Sequence, residues 1–156
     1  MNSNILDKSI QDFILNYSNP VSKLAFEGSS FLKVTNKELI QQIESRRKIE
    51  TKLPTWYKNK FIFYPPKINI DQTSSEHTAR NTASLISGES LADITGGFGV
   101  DTYYFSKEVS AVDHFELNNE LSRIAKHNFN ILGSKNIHCF SKNGMSTVLK
   151  KKYDVV

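Results

Sequence analysis

The stretch Leu91-Ala-Asp-Ile-Thr-Gly-Gly-Phe-Gly-Val-Asp101 constrains the fold of this chain more than any other. An apolar run ends in an acid, a glycine-rich turn follows, and the next residues can start a helix. In a parallel α/β sheet, this is how the carboxyl end of a first strand builds a small-molecule site. The downstream pattern agrees. Residues 90–94 read as a strand, 100–106 as a helix and 108–113 as a strand. Residues 118–130 read as a helix with Leu121, Ile124, Ala125 and Phe129 on one face, stopped at Leu132-Gly133. Residues 136–140 form the next strand, 145–149 a helical turn, and 153–156 the start of a fourth strand. Strands alternating with helices predict an α/β chain with a parallel, Rossmann-like sheet.

The first part of the chain reads differently. Ile10, Phe13, Ile14 and Tyr17 recur at helical spacing. Asn19-Pro20 ends that helix, and a second covers residues 21–26, closing near Gly28. Asn36 is expected to cap a third, which buries Leu39, Ile40 and Ile43 and runs towards Leu53-Pro54. Residues 61–64 are β-prone and end at Pro65-Pro66. A boundary near residue 70 then separates a helical region, 1–70, from the α/β region, 71–156. Thr73 and Glu76 have the spacing of a capping box, opening a helix that runs to about Ser87 with Gly88 closing it.

Composition removes several function classes. No apolar run approaches the roughly 20 residues of a membrane helix. Residues 1–7 lack the basic start and apolar core of a secretory signal. One cysteine, Cys139, excludes an internal disulfide and argues against a cysteine-based zinc site. His77, His114, His127 and His138 have no metal-ligand spacing. The expectation is a cytoplasmic protein with no metal and no membrane. The formal charge is +4, with basic clusters at Arg46, Arg47, Lys48 and Lys52, at Lys58 and Lys60, and at Lys150, Lys151 and Lys152. These read as solvated faces, with phosphate binding as the alternative. Trp56 and Tyr57 read as packing residues, with base stacking as the alternative.

The acids decide what the glycine loop suits. A dinucleotide fingerprint needs G-x-G-x-x-G, and Thr102 stands where the third glycine belongs. No G-K-[ST] follows, so a P-loop is excluded. Asp93, just before the loop, would repel a docking pyrophosphate. The same carboxylate suits S-adenosylmethionine, which carries a sulfonium and an ammonium and no phosphate. Gly96, Gly97 and Gly99 allow close backbone approach. The second strand is expected to end at Asp113, where an acid can accept from both ribose hydroxyls. Asp101 reads as a stabiliser of the following helix start.

At this point the chain resembles a known group. Residues 93–101 resemble motif I of class I S-adenosylmethionine-dependent methyltransferases, with Thr95 where many have glycine. Ala111-Val-Asp113 is similar to the segment after motif I. Residues 118–132 resemble the corresponding helix of RNA N-methyltransferases, including the RNA cap guanine-N2 type. Residues 72–79 and 52–56 are similar to a bacterial family that adds a THUMP-like RNA-binding domain. The resemblance implies methyl transfer from S-adenosyl-L-methionine to a base nitrogen of RNA. It assigns the cofactor to Asp93, Thr95, Gly96, Gly97, Gly99 and Asp113. Asn143 stands where the family often has an acid for the adenine amino group. The family's catalytic N/D-P-P motif follows strand four, and residues 153–156 look like the strand leading into it. The expectation is therefore a fragment, its sheet truncated around strand four, that binds cofactor without turnover. Its exposed strand edge is expected to promote self-association. Two rivals remain at this stage: a non-catalytic RNA-binding module and an NAD-dependent oxidoreductase.

Overall fold

The computed structural model describes residues 1–156. The chain divides into two compact units, Met1–Asp71 and Gln72–Val156.

The first unit is helical. A short 3-10 turn, Ser3–Leu6, precedes α1 (Lys8–Asn16), α2 (Val21–Glu27), α3 (Asn36–Ile49), α4 (Pro54–Lys58) and α5 (Lys67–Asp71). Its core gathers Ile5, Leu39, Ile43, Ile49, Leu53, Trp56 and Ile70. The cap of α3 is Thr35 and not Asn36. Its hydroxyl accepts the Glu38 amide while the Glu38 carboxylate accepts the Thr35 amide, a reciprocal pair that Asn36 has no partner to form. The β-prone segment at 61–64 forms no strand. Its backbone partner is a side chain: buried Gln42 accepts from the Tyr64 amide at 2.9 Å and donates to the Tyr64 carbonyl at 2.7 Å.

The basic cluster of α3 and the turn after it is an internal brace. Arg47 donates to the carbonyls of Tyr17 and Asn19, and Lys52 to those of Ile70 and Asp71. Lys48 pairs with Asp71, and the Arg46 guanidinium lies 3.8 Å from the centre of the Tyr57 ring. These cations are committed to holding helices together.

The second unit is a Rossmann-like α/β fold. It runs α6 (Glu76–Ala83), β1 (Ser90–Asp93), α7 (Val100–Phe105), β2 (Ala111–Phe115), α8 (Asn119–Ile131), β3 (Ile137–Phe140) and α9 (Met145–Val148). The three strands form a parallel sheet in the order β1-β2-β3. Asp93 stands beside His114, and His114 beside Cys139. Residues 153–156 contribute one parallel bridge, Val155 to Leu91, on the far side of β1. The chain direction across the sheet therefore switches at β1, and a crevice outside the carboxyl end of that strand is where such sheets bind ligands. Leu91, Val109 and Val112 form the buried cluster under Ile86, Phe105, Ile137 and Val155.

Two local expectations are corrected. The N-cap of α6 is Ser75, whose hydroxyl accepts the Thr78 amide at 3.1 Å. Glu76 does not complete a capping box with Thr73, because its carboxylate is buried and accepts from the Tyr104 hydroxyl at 2.8 Å. More consequentially, β2 begins at Ala111 and ends at Phe115, where 108–113 was expected. The turn closing α7 runs on through Val109, whose amide donates to Phe105, and Asn136 caps the carbonyls of Ser106 and Val109. Those polar groups are satisfied before the sheet begins.

Asp113 consequently lies inside β2. Its carboxylate accepts from Tyr153 at 2.5 Å and Lys151 at 2.7 Å, with His138 Nδ1 at 3.4 Å. Asp154 accepts from the amides of Glu89 and Ser90 and from the Ser90 hydroxyl, each at 2.9 Å. Together they hold residues 151–155 against β1 and β2. Burial pushes the Asp113 carboxyl up, but the Lys151 and Tyr153 hydrogen bonds, with the charges of Lys151 and His138, outweigh it. The net direction is downward. A carboxyl lowered by folding contributes stability that is present above its unfolded pKa and lost as pH falls through its folded one. Asp113→Asn is expected to cost about 2 kcal/mol near neutral pH, the scale of hydrogen bonds to a charged group. Urea melts should show that deficit shrinking as the pH is lowered into the carboxylate range.

Candidate functional site

The site grows from the carboxyl end of β1. Asp93 is half-buried there, and both its oxygens are held: Oδ1 accepts the Thr95 amide at 3.3 Å and Oδ2 accepts the Thr102 hydroxyl at 2.5 Å. Phe98, 2% exposed, pins the middle of the loop into the core. The amide of Gly96 donates to the Phe115 carbonyl at 2.9 Å, so the loop is tied to the end of β2 as well.

The three loop glycines have different reasons to be glycine. A Cβ at Gly96 would lie 2.2 Å from the His114 ring, and one at Gly99 would lie 2.3 Å from the Phe129 ring. Those two positions are closed by the protein's own packing. Gly97 has φ +54° and its nearest neighbour to a Cβ is 3.8 Å away. It is the position of the three where open space meets a backbone that favours glycine.

Of the sequence-expected residues, the structure brings together Asp93, Thr95, Gly96, Gly97 and Gly99. Asn143 lies in the turn after β3, exposed, its Oδ1 accepting the Met145 amide at 2.9 Å. Its neighbour Gly144 packs so closely that a Cβ would meet Ile94 at 2.9 Å and Phe115 at 3.0 Å, which joins this turn to the ends of β1 and β2. Asp113 is the exception. It does not stand at a strand end, and its carboxylate is engaged by Tyr153 and Lys151.

The acid that does follow β2 is Glu116, which sequence reasoning missed. Its Oε2 accepts the Gly97 amide at 3.0 Å and its Oε1 accepts the Asn118 amide at 2.7 Å. A carboxylate thus faces the open glycine across the crevice. The signal that could have found it was Asn118, the N-cap of α8, which fixes where the second strand must already have ended. Leu117, between them, is 73% exposed.

Asp101, in the first turn of α7, is also near. Burial pushes its carboxyl up and the Asp93 charge adds to that, against a hydrogen bond from Ser74. The segment before α6 therefore reaches the loop through Ser74. Asp93, Asp101 and Glu116 make the crevice acidic, which suits a cationic ligand and opposes a phosphate.

His114 lies beneath the loop, 0% exposed, 5.5 Å from Phe129 in an edge-to-face pair. Burial holds its pKa below the ordinary histidine value, against the pull of Asp93, of hydrogen bonding to the backbone of Gly96 and Gly97, and of Glu116. Cys139, next to it on β3, is half-buried, and burial pushes its thiol up to about 11, so it stays protonated.

No family model and no curated protein matches the sequence. Solved structures do. A crystal structure from Porphyromonas gingivalis W83, provisionally named a methyltransferase, superposes with a TM-score of 0.77 at 21% identity. The match covers 92% of this chain and 37% of that one. An rRNA methylase from Streptococcus thermophilus matches with a TM-score of 0.43 at 17% identity, over 49% of this chain and 46% of that one. At 21% identity the first likeness establishes the fold, and the chain spans 37% of that protein's length.

The buried imidazole generates a measurable consequence. A histidine whose folded pKa is depressed contributes stability present above its unfolded pKa and lost as pH falls through the folded value. Thermal melts from about pH 7.5 to about pH 5.5 should therefore show declining stability, approaching at most about 1.4 kcal/mol per pH unit from this group. In His114→Phe, which keeps a ring of similar size, that decline should be visibly shallower.

Proposed function

We propose that the second unit binds S-adenosyl-L-methionine and that the chain is the cofactor-binding part of a methyltransferase acting on a base nitrogen of RNA. The observation that carries this reading is the pair of carboxylates at the loop's two ends, Asp93 closing β1 and Glu116 following β2, the second of them on the amide of the open Gly97. The likeness to the Porphyromonas gingivalis W83 structure supports it at the level of fold. The RNA substrate rests on the resemblance of residues 118–132 to RNA N-methyltransferases.

The residues present fit the cofactor. Each Glu116 oxygen accepts one backbone amide, which leaves lone pairs on both for the two ribose hydroxyls. Asp93 attracts the ammonium of the amino-acid end, and Asp101 adds to the same field. Leu117 offers an apolar face beside Glu116 for the base, and the free amide hydrogens of Asn143 can meet a ring nitrogen. Ribose recognition passes in this reading from Asp113 to Glu116. The cofactor supplies an electrophilic methyl group on its sulfonium. The protein's part is to hold that group by both ends and so orient it, which is catalysis by positioning.

Two other readings are disfavoured by particular contacts. A nicotinamide dinucleotide would bring a pyrophosphate to a loop flanked by Asp93 and Asp101. An RNA-binding module built on α3 and the turn after it would need cations that already brace Tyr17, Asn19, Ile70 and Asp71.

Isothermal titration calorimetry of the 156-residue chain tests the proposal. S-adenosylmethionine and S-adenosylhomocysteine are expected to bind and NAD is not. Glu116→Ala should weaken both ligands by about tenfold or more, the loss of at least one charge-assisted hydrogen bond. Asp113→Asn, measured where it is folded, should bind as the wild type does. Heat from NAD with none from S-adenosylhomocysteine would refute the reading.

A further inference from the structure

We infer that Thr102 is a positioning residue for the amino-acid end of the bound cofactor, acting through Asp93; this rests on the S-adenosylmethionine reading. Thr102 is 0% exposed in the first turn of α7. Its hydroxyl donates to Asp93 Oδ2 at 2.5 Å. A threonine within a helix commonly turns its hydroxyl back to a carbonyl one turn earlier. Here it reaches across the glycine loop to the end of β1 instead.

The bond performs two tasks. It closes the loop from Asp93 to Thr102, bridging a segment in which Gly97 and Gly99 hold positive φ and the backbone is otherwise permissive. It also fixes the carboxylate plane. With the Thr95 amide on Oδ1 and the Thr102 hydroxyl on Oδ2, one lone-pair direction on each oxygen is taken and the other is left for a cation. A half-buried carboxylate without these donors would turn freely and lose part of its binding free energy in being ordered. The glycines and the acid are thus necessary for the pocket, and the buried hydroxyl aims it.

A purely structural role would affect any ligand of the crevice equally. A positioning role affects ligands that possess an amino-acid end. S-adenosylhomocysteine has that end and 5′-methylthioadenosine lacks it, while both carry the same adenosine. Calorimetry of both ligands with the full chain separates the two roles. Thr102→Val keeps the shape and removes the donor, and Thr102→Cys keeps a similar volume with a weak donor. In both, S-adenosylhomocysteine should bind about tenfold more weakly, the cost of ordering a carboxylate that is no longer held. The affinity for 5′-methylthioadenosine should stay within about twofold, and Thr102→Ser should restore wild-type behaviour. Equal weakening of both ligands, no weakening of either, or loss of cooperative melting in both variants would overturn the inference while leaving the cofactor reading intact. A wild-type chain that binds neither ligand would overturn the two together.

Discussion

The ring of His114 occupies the volume that a side chain at position 96 would need. Much of the second unit follows from that contact. Parallel pairing sets His114 beside Asp93, so the imidazole rises directly under the turn leaving β1. The turn can cross it only as bare backbone, and the Gly96 amide then meets the Phe115 carbonyl. Phe129, from α8, closes the other side of the ring and fills the space left at Gly99. One buried ring therefore sets the height of the loop above the sheet, and with it the positions of Asp93 and Gly97.

The first strand and its loop were legible because an apolar run, an acid and clustered glycines leave few other structures. The alternation of strands and helices was legible for the same reason. The frame of the second strand was not. Residues 108–113 alternate well enough to read as a strand, and nothing local reveals that Asn136, a distant residue, takes the carbonyls of Ser106 and Val109. A shift of a few residues changes which acid reaches the crevice, so Glu116 replaces Asp113. Helix caps failed in a similar way. Thr35 caps α3 through a reciprocal pair with Glu38, and Ser75 caps α6 through the Thr78 amide while Glu76 is engaged by Tyr104, choices that local spacing does not reveal. The segment at 61–64 has strand-like residues, yet the side chain of Gln42 satisfies its backbone and no strand forms.

Formal charge was a poor guide to the field at the site. The chain carries +4, but the residues around the loop are Asp93, Asp101 and Glu116. Meanwhile the basic cluster of α3 and the turn after it is anchored to carbonyls and to Asp71 within the helical unit. What a ligand meets depends on which charges are aimed into the crevice and which are bound up in holding the fold.

The separate reasons for the glycines bear on how relatives of this chain should be read. Gly96, Gly99 and Gly144 are each required by a neighbour from elsewhere in the fold: His114, Phe129, and the pair Ile94 and Phe115. A descendant that had lost all use for a ligand would still need them to close its core. A glycine signature of this kind can therefore outlive the activity it is used to diagnose. The informative positions are those with no packing duty: the open Gly97, and Glu116, which accepts its amide.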